Sequence, residues 1–180
     1  VLHTTSTTVC GAKGAMEKTS VKILFLDIET APNVAYVWGL FDQNIDPKQV
    51  ESTSHVLCWS AQWLGKPGIM YASIQHSSPH RMLERIHVLL DSCDVVVHYN
   101  GLKFDIPTLN KEFLKAGMKP PRPYKQVDLY RVVRAAFRFE SNKLDFVADS
   151  VGLGRKVRHN GFELWVGCMK NDPEIGRAHV

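Results

Sequence analysis

The sequence has few cysteines, and they form none of the patterns that build metal sites or disulfide frameworks. Cys10, Cys58, Cys93 and Cys168 lie far apart, and no CxxC pair or cysteine–histidine cluster occurs. This spacing argues against zinc fingers and against small disulfide-rich secreted domains. We therefore expect reduced thiols in a cytoplasmic protein.

Long hydrophobic runs and strong charge are also missing. No apolar stretch reaches the roughly 18 residues that a membrane-spanning helix needs, and the start of the chain lacks the apolar core of a signal peptide. We expect no membrane association. The net charge of +4 over 180 residues fits either a polyanionic partner or an ordinary solvated surface.

The length suits one domain, and the 44% hydrophobic content is enough for a sizeable core. Residues 1–20 are polar and lack periodicity, so we expect a disordered or non-native leader. Residues 175–180 back-translate to a common sequencing adapter, so we expect a domain over residues 21–174 followed by a non-native tail. A native tail with this sequence is the alternative.

Hydrophobic periodicity predicts an α/β fold. Strands are predicted at residues 21–29, 33–41, 55–65, 68–74, 94–100 and 125–130, and helices at 79–93, 105–117, up to about 137, and 141–154. The early strands are separated by turns and the later ones by helices. This order predicts a mixed central sheet, with three antiparallel strands and then two parallel ones, flanked by helices.

Two carboxylates end the first predicted strand, in the stretch ILFLDIET. Asp27 and Glu29 are two residues apart, so their side chains point to the same face. Side-by-side anionic carboxylates repel each other, and Mg²⁺ or Mn²⁺ favours such hard oxygen ligands. The alternative is an ordinary strand end that reaches solvent.

A third carboxylate follows a later buried strand, in the stretch VVVHYNGLKFD. In a parallel pair of strands, Asp105 would face Asp27 and Glu29 across the end of the sheet. Alone, Asp105 is typical of a helix cap. The three carboxylates together favour a metal site.

These two stretches resemble the first two motifs of the DEDD superfamily of 3′–5′ exonucleases, and the chain from about residue 21 to 173 resembles ribonuclease H-like exonuclease domains related to those of family B DNA polymerases. The resemblance implies two divalent ions, Mg²⁺ or Mn²⁺, held about 3.5–4 Å apart. It implies that Asp27 bridges both ions, that Glu29 binds the ion that activates water, and that Asp105 holds the other.

The resemblance also implies nucleic-acid contacts. Thr30 is expected to contact the terminal nucleotide through its backbone, and Asn100 to hydrogen-bond the substrate. Phe104 is expected either to stack on a base or to pack in the core. The expected substrate is the 3′ end of single-stranded DNA or RNA. A replication protein or polymerase is a further expected partner, and the protein itself is expected to be a monomer. Basic residues that would track the strand or simply lie in solvent are Arg131, Arg134, Arg138, Lys143, Arg155, Lys156 and Arg158.

The chain departs from the family at the third motif. No Tyr or His precedes a suitable Asp after Glu163, and Asp128, Asp145 and Asp149 come too early and are interpreted as structural. We expect the missing carboxylate just beyond Pro173, and weak exonuclease activity or none from a chain that lacks it. The alternatives are a nucleic-acid-binding module that no longer cuts and a different nuclease on the same fold, such as an endonucleolytic ribonuclease H or a junction resolvase. The paired motifs argue against the latter.

Overall fold

The structure, a computed structural model, describes residues 20–155 and 162–170. The predicted tail at 175–180, the predicted leader except Ser20, and the expected continuation beyond Pro173 lie outside the described residues. The three cysteines within them, Cys58, Cys93 and Cys168, are free. No helix in the described part of the chain is long and apolar enough to cross a membrane.

The described residues form a five-stranded sheet, a separate two-stranded sheet and five helices. The strands are β1 (Ile23–Thr30), β2 (Val34–Ala35), β3 (Val50–Ser52), β4 (Val56–Trp63), β5 (Met70–Ser73), β6 (Val95–His98) and β7 (Lys125–Asp128), and the helices are α1 (Pro79–Ser92), α2 (Asp105–Lys115), α3 (Leu129–Ala136), α4 (Leu144–Ser150) and α5 (Phe162–Met169). The large sheet has the order β5-β4-β1-β6-β7.

Strand direction changes at β1. The pairs β1–β4 and β4–β5 are antiparallel, whereas β1–β6 and β6–β7 are parallel. The predicted mixed sheet of three antiparallel and two parallel strands is therefore confirmed. Because β1, β6 and β7 run in the same direction, their carboxyl ends meet at one edge of the sheet.

The two faces of the sheet have opposite character. Leu24, Leu26 and Ile28 of β1 are buried on one face, which packs into a core with Trp59 of β4. The same core takes in side chains of α1 and α2, among them Ile86, Leu90, Leu109 and Phe113. We call this the closed face. The alternate residues of β1 lie on the other face, the open face, where Phe25 and Asp27 are exposed and Glu29 is half-buried.

The strand predicted at residues 33–41 is wrong. Only Val34–Ala35 is a strand, and it pairs with β3 instead of the main sheet. β1 is already paired on both edges, by β4 and β6, so the following segment finds no free edge there. Trp38, which lies in this segment, is 99% exposed.

Candidate active site

Asp27 and Glu29 lie near the carboxyl end of β1, on the open face. The Asp27 side chain is exposed and that of Glu29 is half-buried. Glu29 pairs with Cys58 on β4, and the register of the two strands shifts directly after it, between Glu29 and Thr30. Such an irregularity bends the strand locally and changes where its side chains point.

Asp105 is the first residue of α2, and its side chain is buried, with 3% of the residue exposed. Its Oδ1 accepts a hydrogen bond of 3.1 Å from the backbone N–H of Ile28. The last β1–β6 pair is Phe25 with Val97, so this N–H lies beyond the paired part of β6. The carboxylate of Asp105 thus takes the place of a strand partner and lies against the segment between Asp27 and Glu29.

This position makes the Asp105 carboxyl a weaker acid than an exposed aspartic acid. Burial, and next the negative charge of Asp27, raise its pKa from 3.8 to about 6, although the Ile28 N–H opposes the shift. Mutual repulsion of this kind requires the two carboxylates to lie close together. The hydrogen bond to the Ile28 N–H places the Asp105 carboxylate beside the peptide group that follows Asp27, although Asp105 lies 78 positions later in the chain.

The turn that precedes Asp105 is fixed by buried polar groups. Asp128, at the end of β7, is 5% exposed, and its carboxylate accepts hydrogen bonds from the backbone N–H groups of Asn100 (2.8 Å), Leu102 (3.4 Å) and Tyr130 (3.1 Å). These bonds agree with the structural interpretation of Asp128. They also tie the carboxyl end of β7 to the turn that leads into α2.

His98 completes this support. Its Nδ1 accepts the backbone N–H of Gly101 at 3.1 Å, so the ring proton is on Nε2, which lies 3.2 Å from the side-chain oxygen of Gln126. His98 is 3% exposed, so it is a buried histidine with a partner at each ring nitrogen. Asn100 has a φ of 65°, a left-handed conformation that asparagine tolerates better than most residues.

A family model described as the RNase_H superfamily matches residues 24–165. The chain belongs to the ribonuclease H superfamily. This ribonuclease H superfamily domain also superposes on the family B DNA polymerase of the hyperthermophilic archaeon Pyrobaculum calidifontis, with a TM-score of 0.62 and 18% sequence identity. The match covers 88% of this chain and 22% of the polymerase, so the chain spans about a fifth of that protein's length. No protein with a curated description matches the chain.

These comparisons confirm the resemblance drawn from the two acidic motifs, because both lead to a ribonuclease H-like domain with a family B polymerase relative. Nuclease-type proteins of this superfamily generally use divalent metals. Among the described residues, however, no three His, Cys, Asp or Glu side chains are grouped closely enough to hold an ion. The ligand set that the chain offers is the pair Asp27 and Asp105, with Glu29 next along the strand.

This donor set fits a hard divalent cation. The repulsion between the two carboxylates is relieved when a cation lies between them, and oxygen is the ligand that Mg²⁺ and Mn²⁺ favour. The neighbouring thiol does not compete for this role. Burial raises the pKa of Cys58 to about 11, and the charge of Glu29 adds to the shift, so the sulfur stays protonated and neutral.

The three predicted nucleic-acid contacts lie close to this pair in the chain. Thr30 is half-buried at the end of β1, and Asn100 is half-buried in the turn that Asp128 holds. Phe104, directly before Asp105, is 44% exposed. Much of its ring is open to solvent, which agrees with stacking on a base and not with packing in the core.

Proposed function

We propose that the chain is a metal-dependent nuclease domain that removes nucleotides from the 3′ end of single-stranded nucleic acid. One observation carries the proposal: the buried carboxylate of Asp105 lies against the backbone of β1 and repels Asp27 at the carboxyl end of the parallel strands. A like-charge pair in that place costs stability unless a cation joins it. The two acidic motifs of DEDD exonucleases support the 3′–5′ direction.

The roles of the residues follow from their positions. Asp27, Glu29 and Asp105 would hold two Mg²⁺ or Mn²⁺ ions, which supply Lewis-acid stabilisation of phosphate charge and lower the pKa of a bound water. The turn from His98 to Phe104 keeps Asp105 in place. Thr30 and Asn100 would orient the terminal nucleotide, and Phe104 would stack on its base.

The proposal extends to the setting of the protein. Free thiols support a cytoplasmic location. The resemblance of the two acidic motifs to those of DEDD exonucleases supports a role in DNA replication or repair, including a phage setting. The chain would act as a monomer, alone or beside a polymerase, on DNA or RNA.

The test is cleavage of a single strand labelled at its 5′ end, with Mg²⁺, Mn²⁺ or a chelator. We expect a ladder that shortens from the 3′ end only when metal is present. Asp27→Asn and Asp105→Asn should each reduce the rate by at least about 10²-fold, because each removes charge that the metals need. Glu140→Gln, which removes an exposed carboxylate elsewhere, should cleave at the parental rate.

A second function is favoured by a different observation. The described residues contain no group of three potential metal ligands. This observation favours a module that binds nucleic acid without cleaving it. In that case the parental chain binds the labelled strand but produces no ladder with either metal. Cleavage that Asp27→Asn leaves unchanged would contradict the assignment of the site.

A further inference from the structure

A polar cavity lies near the ends of the strands, at the end of the sheet that also carries Asp27 and Asp105. Its volume is about 500 Å³, and it is lined by His76, Ser77, Ser78, Arg81 and Arg85, between the end of β5 and the start of α1. Among the described residues no carboxylate lines it. We call it the arginine cavity.

Two guanidinium groups give the arginine cavity its charge. Arg81 and Arg85 are four residues apart on α1, so they lie on the same side of the helix. Neither forms an ion pair within residues 20–155 or 162–170, and the carboxylate between them, Glu84, pairs with His80 at 3.4 Å. Arg85 also lies over the ring of Trp59, 5.5 Å from its centroid, which limits the freedom of its guanidinium.

The start of α1 adds little to this charge. Pro79 has no N–H group, and the N–H of Arg81 already donates to the Ser78 hydroxyl at 3.3 Å. The Ser77 hydroxyl already donates to the backbone carbonyl of Ser73 at 3.3 Å. The affinity of the cavity for an anion therefore rests on the two arginines, with the Ser78 hydroxyl as an additional donor. A guanidinium donates two parallel hydrogen bonds to phosphate, which suits it to this ligand.

The sheet relates the arginine cavity to the carboxylates. Glu29 pairs with Cys58, and Cys58 pairs with Ser73 at the end of β5. Two strand spacings separate Glu29 from Ser73, which corresponds to about 10 Å. The Ser73 hydroxyl lies 2.7 Å from Nδ1 of His76, a lining residue of the cavity. The cavity therefore begins within about three strand spacings of the site, at the same edge.

We propose that the arginine cavity binds a backbone phosphate of the nucleic-acid strand whose 3′ end lies at Asp27 and Asp105. This inference rests on the proposed function for the identity of the strand. It gives the strand a direction over the molecule, from the carboxyl end of β1 past the adjacent ends of β4 and β5 to the start of α1. The phosphate oxygens would lie between Arg81 and Arg85.

The test is equilibrium binding of a fluorescent oligothymidine of about 12 nucleotides, within the size range of single-strand sites, in a chelator so that nothing is cleaved. The variant with Arg81→Gln and Arg85→Gln should bind about tenfold more weakly. The slope of log K against log salt should fall by about 0.7 for each phosphate that the variant no longer neutralises. Arg81→Gln alone, which leaves the Arg85–Trp59 stack intact, should show half of that change in slope.

The matched control is the variant with Lys22→Gln and Lys66→Gln. It removes the same two charges at the opposite edge of the sheet, before β1 and in the turn between β4 and β5. If it weakens binding as much as the arginine variant does, the effect is one of net charge and the proposal is wrong. Melting temperatures of all variants show whether each is folded.

Binding of inorganic phosphate tests whether the ligand of the cavity is a nucleic-acid strand or a free anion. If phosphate binds in an arginine-dependent way while the oligothymidine affinity ignores both arginines, the cavity is a free-anion site and the strand assignment is overturned. The binding assay is also independent of cleavage. If Asp27→Asn leaves cleavage unchanged, the proposed function fails, whereas arginine-dependent strand binding would still support the cavity.

Discussion

The two faces of β1 assign different tasks to neighbouring residues. Leu26 is 5% exposed in the closed face, whereas Phe25, one position earlier, is 38% exposed on the open face. The same alternation puts Ile28 in the core and leaves Asp27 in solvent. One strand therefore supplies both the apolar contacts that hold the sheet and the charge of the candidate site, and each set can be changed without touching the other.

The largest effect is expected from truncation on the closed face. Leu26→Ala should lower the free energy of unfolding by about 2–5 kcal/mol, because it leaves a cavity among α1, α2 and β4. Phe25→Ala is the matched control on the open face and should cost no more than about 1 kcal/mol. Urea unfolding followed by circular dichroism measures both. Equal losses in the two variants would contradict the division between the faces.

Asp105 contacts the backbone of β1, and its contribution to the free energy of unfolding should depend on pH. The unfolded carboxyl ionises near 3.8, while the folded one keeps its proton up to about 6. Between these values the unfolded chain binds fewer protons, so stability should fall as pH rises from about 4 to about 6, by a total of about 3 kcal/mol, and stay level above. Asp105→Asn can still accept the Ile28 N–H and should lose this pH dependence.

Unfolding of both proteins across this pH range, in a chelator, gives the measurement, with Glu140→Gln as the control. Asp27→Asn sharpens it, because removal of the neighbouring charge should lower the pKa of Asp105 and reduce the fall in stability. A parental profile that matches that of Asp105→Asn would show that Asp105 is not held in the way described.

A smaller effect is expected at the turn after β6, on the closed side of the sheet. A Cβ added at Gly101 would clash with the imidazole ring of His98, which is 3% exposed. Gly101→Ala should therefore cost about 1–3 kcal/mol, as expected for overpacking in a rigid site. In a His98→Ala background the same change should cost much less, and an unchanged cost would exclude this contact as the cause.

The smallest effect is expected outside both faces. Trp38 is 99% exposed, so Trp38→Ala should change the free energy of unfolding by no more than about 0.5 kcal/mol. Trp59→Ala is its counterpart in the core and should cost about 3–5 kcal/mol. A large loss of stability from Trp38→Ala in urea unfolding would indicate a contact that the fold lacks.

The pattern of residues predicted the strands and helices that bury one regular face. The predicted helix at 79–93 is Pro79–Ser92, and the predicted strand at 94–100 is Val95–His98. The segment at 33–41 is also rich in apolar residues but remains mostly outside the sheets. Its outcome depends on whether β1 has a free edge, and that information lies in β4 and β6, not in the segment itself.

The candidate site shows the same limit. Asp27, Glu29 and Asp105 stand out in the sequence because they lie in two stretches, ILFLDIET and VVVHYNGLKFD, that together resemble a pair of acidic motifs. The support of Asp105 by Asp128 and His98 cannot be recognised in the sequence, because Asp128 is typical of a strand end and His98 of a core position. The arginine cavity also escapes prediction, because it needs α1 and β5 to be placed side by side.

The alternation along β1 has a consequence for how the sheet assembles. If β1 paired with β4 one residue out of step, every side chain would move to the opposite face. Asp27 and Glu29 would then enter the core, and Leu26 and Ile28 would face water. Burial of the two carboxylates would cost free energy in the misaligned sheet. The residues proposed to bind metal therefore also favour the correct register of their own strand.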